Sequence, residues 1–196
     1  MIKYKNITKK YPNGKKAVKD VNLEFNRGEF VCFIGTSGSG KTTLMRMINR
    51  MLEPTSGELT IDGKNIKDFN EVELRRKIGY VIQQIGLMPH MTIYENITMV
   101  PRLLKWPEEK MKDKAIKLIK MVDLPESFLN RYPSELSGGQ QQRIGVIRAL
   151  AADQDIVLMD EPFGALDPVT REPLQDSQGI AGKNWKNFRN SYPRYG

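Results

Sequence analysis

Cysteine and histidine are nearly absent from this sequence of 196 residues, which has one of each, Cys32 and His90. A single cysteine cannot form an internal disulfide, which excludes the disulfide-rich class of small secreted domains and suits a reducing compartment. No apolar run is long enough to span a bilayer, and the first residues have no apolar signal-peptide core. The sequence therefore predicts a cytosolic protein with one large domain, or one domain with a subdomain.

Acidic residues are the scarcer charged type, with 23 against 31 basic residues and a net charge of +8. The last nineteen residues, "QGIAGKNWKNFRNSYPRYG", contain four basic residues and no acidic one. The remainder is only mildly basic. Such a balance fits phosphate ligands or an anionic membrane surface and does not require a nucleic-acid partner.

The spacing of apolar residues predicts alternating strands and helices. The runs "EFVCFIG" (29–35), "GYVIQQ" (79–84) and "DIVLMDEP" (155–162) predict short strands, the first and last of them buried. The Asp-Gly pair in "TSGELTIDGKNI" predicts a hairpin. Helical spacing follows residue 41, with Leu44, Met47, Ile48 and Met51 on one face.

A helix-rich insertion is predicted over about 91–150. Thr92 and Glu95 match a capping box, and Pro107 begins a further helix whose first turn contains Glu108 and Glu109. A strand, a helix, a helical insertion and a second strand indicate an α/β fold with a mostly parallel sheet.

The stretch "GTSGSGKTT" fits the P-loop pattern G-x-x-x-x-G-K-[ST] between a predicted strand and a predicted helix. Its glycines allow backbone N–H groups to surround phosphates, Lys41 is placed to reach the β- and γ-phosphates, and Thr42 to ligate Mg²⁺. The phosphate-binding prediction comprises Gly35, Thr36, Ser37, Gly38, Ser39, Gly40, Lys41, Thr42 and Thr43.

Two carboxylates follow the apolar run "IVLM". Ligands bind at the carboxyl ends of strands in open α/β sheets, so Asp160 is predicted to hold Mg²⁺ and Glu161 to orient or deprotonate a water. Alone, this pair could equally be a solvated strand end, and its pairing with the P-loop favours the chemical interpretation.

The stretch "LSGGQQQR" contains two adjacent glycines at a predicted helix start. Ser137 and Gln140 match a capping box, which is the structural interpretation. Glycines are poor helix formers, however, and Gly138 and Gly139 at a helix N-terminus indicate a close approach to an anion.

With these motifs in this order, the chain over about 2–177 resembles the nucleotide-binding subunit of ABC transporters, whose signature is "LSGGQ". The resemblance implies a P-loop NTPase core with an N-terminal antiparallel β subdomain and a helical subdomain. It implies that Tyr11 stacks on adenine, that Gln83 contacts Mg²⁺ and water, and that Asp167 of "GALD" lies at a dimer seam.

The resemblance also implies ATP and Mg²⁺ as cofactors and a head-to-tail homodimer, in which Ser137, Gly138, Gly139 and Gln140 of one copy cap the ATP of the other. Its further partners would be transmembrane permease subunits and a substrate-binding protein, with no nucleic acid, at the cytoplasmic face of the membrane. "VIQQIGLMPHMTIYENI" looks most like importers of glycine betaine, carnitine or choline, and polar amino-acid importers share much of the pattern.

The tail departs from the family after about Ser177, where an apolar strand and a switch histidine are expected. We therefore predict an ABC ATPase domain over 1–177, a disordered aberrant tail over 178–196, and an incomplete core sheet. A one-nucleotide frame shift is one hypothesis. With permitted codons, the stretch from Trp185 would then read Gly-Lys-Thr-Phe-Val-Ile-Val-Thr-His-Asp-Met.

Two alternatives to an active transport ATPase remain at this point. One is a subunit that binds nucleotide but hydrolyses it poorly, since the switch histidine is missing and His90 cannot replace it. The other is a DNA-repair ATPase sharing the signature, although no heptads or cysteine pairs lie between the P-loop and the signature.

Overall fold

The structure is a computed structural model that describes residues 1–82 and 86–160. The described strands are β1 (Ile2–Lys10), β2 (Lys16–Phe25), β3 (Ser56–Ile61), β4 (Lys64–Asn65), β5 (Ile78–Val81) and β6 (Ile156–Met159). The described α-helices are α1 (Lys41–Ile48), α2 (Glu71–Arg76), α3 (Ile93–Leu103), α4 (Glu108–Met121) and α5 (Gly138–Arg148). The fold is α/β, with an antiparallel N-terminal sheet, a parallel sheet and helices.

The chain divides into two compact units. The first contains Met1–Gly79 and Gln154–Asp160, and the second contains Tyr80–Asp153 among the described residues. The division of the sequence into an ATPase domain and a tail stays a prediction, because the tail lies outside the described residues.

The N-terminal sheet of the first unit has the order β2-β1-β3-β4 and is antiparallel throughout. Tyr4 on β1 lies opposite Leu23 on β2 and Leu59 on β3. The Tyr4 ring is buried, and its hydroxyl donates a 2.9 Å hydrogen bond to the carbonyl oxygen of Leu44 in α1. This contact fixes the sheet to the helix that follows the P-loop.

The predicted hairpin is confirmed. Strands β3 and β4 pair across Asp62 and Gly63, which have φ angles of +49° and +80°. Two successive left-handed residues are what a type I′ turn requires, and Asp-Gly is among its preferred sequences.

Helix α1 confirms the predicted helical spacing for Leu44, Met47 and Ile48, which are all buried. The expectation for Met51 is wrong, since it lies beyond the helix end and its side chain is 55% exposed. The helix ends because Arg50 adopts a left-handed φ of +52°, which a continuing α-helix cannot include.

The predicted strands over 79–84 and 155–162 are present as β5 and β6, which pair in the parallel sheet. The strand predicted over 29–35 is wrong, because these residues form no strand. Ile34 is 93% exposed and Val31 42% exposed. An apolar run becomes a strand only where a neighbouring strand forms a regular hydrogen-bond ladder with it, and no described strand forms such a ladder with residues 29–35.

The second unit is helical, which agrees with the helix-rich insertion predicted over about 91–150. Thr92 and Glu95 form the capping box of α3, in which each residue accepts a hydrogen bond from the backbone N–H of the other. Pro107 is the N-cap of α4, whose buried face consists of Met111, Ala115, Leu118 and Ile119. Within the described ranges, no helix is long and apolar enough to cross a membrane.

Several predicted features fall outside the described residues. These are Gln83, Glu161, Asp167, the tail, and the suggested loss of core strands after residue 177.

Candidate functional site

The P-loop leads from the segment that ends at Ile34 into α1. Gly38 and Gly40 have φ angles of +79° and +94°, in the left-handed region that favours glycine. A Cβ at Gly40 would lie 2.6 Å from Cγ1 of Val18 and 2.7 Å from the carbonyl oxygen of Ala17. The loop therefore folds against the beginning of β2, and only glycine fits at this contact.

The N-terminus of α1 has the properties of an anion site. Gly40 is its N-cap and provides no side-chain hydrogen bond, and the first turn contains no acidic residue. The first backbone N–H groups of an α-helix have no partner within the helix, and the helix dipole places partial positive charge beside them. These groups can therefore bind phosphate oxygens, as the loop sequence predicted.

Lys41 lies over the loop that precedes it. Its Nζ donates hydrogen bonds to the carbonyl oxygens of Gly35 (2.7 Å) and Thr36 (2.8 Å), and it lies 3.4 Å from Oγ of Ser39. The ammonium group is thus placed at the mouth of the loop, where a phosphate oxygen can replace one of these carbonyl partners.

The Thr42 hydroxyl and the Asp160 carboxylate meet at the base of the loop. Thr42 Oγ1 donates a 2.8 Å hydrogen bond to Oδ1 of Asp160, which is 7% exposed. The two residues are 118 positions apart in the sequence. The P-loop helix and the end of β6 therefore bring together the two side chains that the sequence assigned to Mg²⁺.

This oxygen pair fits Mg²⁺ better than a transition metal. No group of three or more histidine, cysteine or acidic side chains lies together in the part of the chain that the structure describes. Magnesium is commonly held by one or two protein oxygens together with phosphates and water, and it does not need such a cage. Gln83, the third predicted ligand, is among the residues that the structure does not describe.

Tyr11 follows β1 in a short turn. Its backbone N–H donates to the carbonyl oxygen of Lys15 and its carbonyl accepts from the N–H of Gly14, both at 2.9 Å. The ammonium group of Lys9 lies 5.8 Å from the centre of the half-buried Tyr11 ring. The backbone of Tyr11 is thus held in a closed turn, and the stacking of its ring on adenine stays a prediction.

The signature stretch begins α5 in the second unit. Ser137 and Gln140 form the predicted capping box: the Gln140 N–H donates to Ser137 Oγ at 3.4 Å, and the Ser137 N–H donates to Gln140 Oε1 at 2.9 Å. This arrangement uses an acceptor position of the Ser137 hydroxyl, whose O–H can donate to a ligand.

Gly138 occupies the first turn of α5 in open space, since a Cβ there would meet no atom within 4 Å. Local packing in this chain therefore does not require glycine at this position. Glycine instead leaves the backbone at the helix N-terminus uncovered, which suits the approach of an anion. The Gln141 side chain supports the turn by donating to the carbonyl oxygens of Pro133 and Leu136.

The motifs alone did not identify Ala17 and Val18, which support the P-loop through the contact with Gly40. They lie more than twenty residues ahead of it and belong to no phosphate-binding pattern. Their proximity depends on how β2 lies beside the loop, which a pattern in one stretch does not encode.

Comparison with known proteins gives a consistent result. The family described as ABC transporter matches residues 18–164. The chain is 66% identical over 176 residues to the carnitine transport ATP-binding protein OpuCA of Listeria monocytogenes, an alignment that covers 90% of the chain and 44% of the relative. It is 64% identical to the glycine betaine/carnitine/choline transport ATP-binding protein OpuCA of Bacillus subtilis, covering 90% of the chain and 46% of the relative.

The chain thus spans less than half the length of these curated relatives. Among solved structures, it matches a dimeric post-hydrolysis state of the ATP-binding cassette MJ0796 bound to ADP and Pi, with a TM-score of 0.76 and 41% identity. This match covers 93% of the chain and 84% of the solved chain. MJ0796 is a protein of Methanocaldococcus jannaschii. Because the family match covers most of the sequence, and the predicted signature and P-loop both lie within it, the chain belongs to the ABC transporter family.

Proposed function

We propose that this chain is an ATP-binding subunit that hydrolyses ATP to drive solute import through a membrane transporter. The single observation that carries the proposal is the hydrogen bond between Thr42 and Asp160 at the base of the uncapped P-loop helix. This hydrogen bond joins the anion site at the start of α1 to a hydroxyl and a carboxylate that fit Mg²⁺. Phosphoryl transfer needs an anion site and a Mg²⁺ site side by side.

The described residues then have distinct roles. The backbone of Gly35–Thr43 surrounds the phosphates and Lys41 neutralises their charge, while Thr42 and Asp160 hold Mg²⁺. The bound Mg²⁺ would neutralise charge on the β- and γ-phosphates. Tyr11 would position the adenine by stacking.

Roles that belong to residues outside the described ranges are proposed from the sequence alone. Glu161 orients or deprotonates the attacking water, Gln83 contacts Mg²⁺, and Asp167 lies at the seam between two copies. Each follows from the family pattern, and each can be tested by substitution.

We propose a head-to-tail homodimer, in which the Ser137–Gln140 stretch of one copy caps the nucleotide held by the other. The open backbone at Gly138 and the donor of Ser137 support this role. Two solved structures of the similar cassette MJ0796 are dimers, which supports the same assembly. A permease and a substrate-binding protein complete the proposed transporter, with this subunit bound peripherally at the cytoplasmic face of the membrane.

The proposed solute is an osmoprotectant of the quaternary-amine type. Relatives with 66% and 64% identity are named for transport of carnitine and of glycine betaine, carnitine or choline. A third, 56% identical, is named an osmoprotectant import ATP-binding protein, from Salmonella typhimurium. Transport assays with radiolabelled carnitine, glycine betaine and a polar amino acid would distinguish the solute classes.

A second candidate function, nucleotide binding with slow hydrolysis, follows from the scarcity of histidine in the sequence. The only histidine of the 196 residues is His90, which lies in the second unit and is exposed. In this second function the chain binds Mg-ATP and hydrolyses it slowly, because residues 178–196 depart from the family pattern where the resemblance expects the switch histidine. Robust hydrolysis in a variant that carries the shifted reading of the tail, and negligible hydrolysis in the present chain, would support this second function.

The nucleotide site is tested by titrating fluorescent ATP with and without Mg²⁺. We expect saturable binding that Mg²⁺ strengthens. Lys41→Ala should abolish it, because the cation that faces the phosphates is removed. Lys19→Ala is the matched control, since Lys19 is an exposed lysine of the same unit outside the P-loop. Equal binding by the two variants would refute the site.

A further inference from the structure

Lysine is concentrated at the start of the chain, where residues 3–19 contain seven lysines and no acidic residue. Three exposed lysines lie around the turn between β1 and β2, and we call them the turn lysines: Lys10, Lys15 and Lys16. Lys9 differs from them, since it is half-buried and its Nζ donates a 2.7 Å hydrogen bond to the carbonyl oxygen of Glu53. The turn lysines are thus an exposed basic group at one end of the N-terminal sheet.

The fold holds the turn lysines together. Lys10 lies directly opposite Lys16 in the pairing of β1 with β2. Directly opposite side chains lie on the same face of an antiparallel pair, about 5 Å apart at Cβ, and like charges there repel each other. The Tyr11 N–H donates to the carbonyl oxygen of Lys15 at 2.9 Å, which closes the turn beside this pair. An anion close to the turn would offset the repulsion that the fold imposes.

Carboxylates near the turn do not balance its charge. No ion pair joins a turn lysine to any described carboxylate. The Glu53 carboxylate lies 2.7 Å from the guanidinium of Arg50. Asp20 is the first acidic residue of the chain, and its carboxylate accepts a hydrogen bond from a threonine hydroxyl. Residues 30–34, which lead into the P-loop, expose Cys32 and contain no acidic residue. The described surroundings of the turn therefore leave its potential positive.

The basic turn lies beside the phosphate-binding loop. Lys16 is followed by Ala17, whose carbonyl oxygen would lie 2.7 Å from a Cβ at Gly40, the N-cap of α1. Consecutive Cα atoms are about 3.8 Å apart, so the backbone of Lys16 lies one residue from this contact. The Debye length is about 8 Å at physiological ionic strength, so charges at this range still act on an anion that approaches α1.

We propose that the turn lysines attract the nucleotide electrostatically and raise the rate at which it reaches the P-loop. This inference rests on the proposed nucleotide-binding function and deepens it. Charge of one sign beside a binding site raises the association rate of an oppositely charged ligand by roughly 10- to 1000-fold, and the gain falls steeply with salt. The turn lysines do not contact the bound nucleotide in this proposal, so they leave its dissociation rate to the P-loop.

Stopped-flow mixing with a fluorescent ATP analogue measures the association and dissociation rate constants separately. The test variant is Lys10→Gln/Lys15→Gln/Lys16→Gln. At about 0.1 M salt we expect its association rate constant to fall about fivefold, because screening reduces the full steering gain. Its dissociation rate constant should stay within about twofold of that of the unsubstituted chain. At about 1 M salt, where the Debye length is about 3 Å, the two association rate constants should be equal.

A matched control removes three lysines from the other end of the same sheet: Lys3, Lys5 and Lys64. Lys5 precedes Lys10 by five residues of β1, or about 17 Å of strand, which is nearly two Debye lengths at about 0.1 M salt. Replacing the three control lysines with glutamine removes the same net charge from the same unit. The association rate constant of this control should fall less than about twofold, because its lost charges are screened from the P-loop.

Melting temperatures show that both variants are folded. The test variant should be at least as stable as the unsubstituted chain, because it removes the repulsion between Lys10 and Lys16.

Three results would overturn the inference and leave nucleotide binding itself intact. The first is an equal association rate constant in the test and control variants at about 0.1 M salt. The second is faster dissociation with unchanged association, which would mean that the turn lysines contact the bound nucleotide. The third is unchanged nucleotide kinetics together with lost binding to phosphatidylglycerol vesicles, which would assign the turn to an anionic membrane surface. If the unsubstituted chain binds no fluorescent ATP, the proposed function and this inference are both wrong.

Discussion

Thr42 Oγ1 donates a 2.8 Å hydrogen bond to Oδ1 of Asp160, so the first turn of α1 and the end of β6 are joined by one contact across 118 residues. Asp160 is 7% exposed, and the contact therefore lies in a largely dehydrated environment. A hydrogen bond to a charged group in such an environment contributes more than one between neutral groups. The contact thus has a structural role as well as the proposed role in Mg²⁺ binding.

Substituting Thr42 separates these two roles. Thr42→Ala removes the donor to a buried carboxylate and should lower the free energy of unfolding by about 1–3 kcal/mol. It should also abolish the effect of Mg²⁺ on nucleotide binding. Thr42→Ser retains the hydroxyl and is the control, with near-normal stability and Mg²⁺ dependence. Urea denaturation and fluorescent ATP titration measure the two effects, and a stable Thr42→Ala variant would contradict the structural role.

Gly40 gives a prediction about the shape of the P-loop. Gly40→Ala places a methyl group 2.6 Å from Cγ1 of Val18 and 2.7 Å from the Ala17 carbonyl, at a φ of +94°. The loop must shift, so nucleotide binding should be lost. Gly38→Ala is the matched control, because it meets no atom within 4 Å and costs only about 1 kcal/mol of backbone strain. Gly40→Ala should therefore have both a lower melting temperature and a lower nucleotide affinity than Gly38→Ala.

The capping box of α3 predicts a pH dependence. Hydrogen bonds from the backbone N–H and the side chain of Thr92 lower the pKa of Glu95 below its ordinary value of about 4.3. A carboxyl group with a depressed pKa stabilises the fold above its unfolded pKa, and this contribution disappears as pH falls through the folded pKa. Glu95→Gln keeps an acceptor but cannot titrate, so its stability should fall less between pH 5 and about pH 3. The urea denaturation midpoints of the unsubstituted chain and of Glu95→Gln, measured across this pH range, test the prediction. Identical pH profiles for the two proteins would contradict it.

Tyr94 gives a prediction at the alkaline end. Burial is the main cause that raises the pKa of Tyr94 to about 12, and its 2.6 Å hydrogen bond to Glu108 adds to it. Because the folded pKa exceeds the ordinary value of about 10, the stabilisation is complete below pH 10 and is lost as pH rises through 12. In an alkaline titration, the absorbance of tyrosinate near 295 nm should contain a component that appears only at high pH. This component should be absent in Tyr94→Phe and should occur at lower pH in Glu108→Gln. An unchanged titration in Tyr94→Phe would contradict the assignment.

Short-range patterns predicted local features well. Asp62-Gly63 formed the expected turn, and Thr92 with Glu95 formed the expected capping box. Both depend on residues a few positions apart, so the sequence contains all the interacting groups. Leu44, Met47 and Ile48 were predicted for the same reason, whereas the extension to Met51 failed because helical spacing does not reveal where a left-handed residue ends the helix.

Features that depend on residues far apart in the sequence could not be predicted from short-range patterns. The run at 29–35 has the composition of a strand, but strand formation requires hydrogen bonds from a neighbour that no local pattern specifies. The contact of Gly40 with Val18 depends likewise on how β2 lies beside the loop. For the candidate site, the sequence identified Thr42 and Asp160 as chemically suitable, and the fold supplied the 2.8 Å contact between them.

The exposure of Cys32 has a consequence for the handling of the protein. A chain with a single accessible thiol cannot protect it by pairing within the molecule, so air oxidation can produce only a covalent dimer or an oxidised sulfur. Such a dimer would link two copies through Cys32. On a sizing column it would have the same mass as the proposed nucleotide-dependent dimer. Samples kept without reductant should therefore show a dimer that disappears with dithiothreitol, whereas a nucleotide-dependent dimer should persist under reduction.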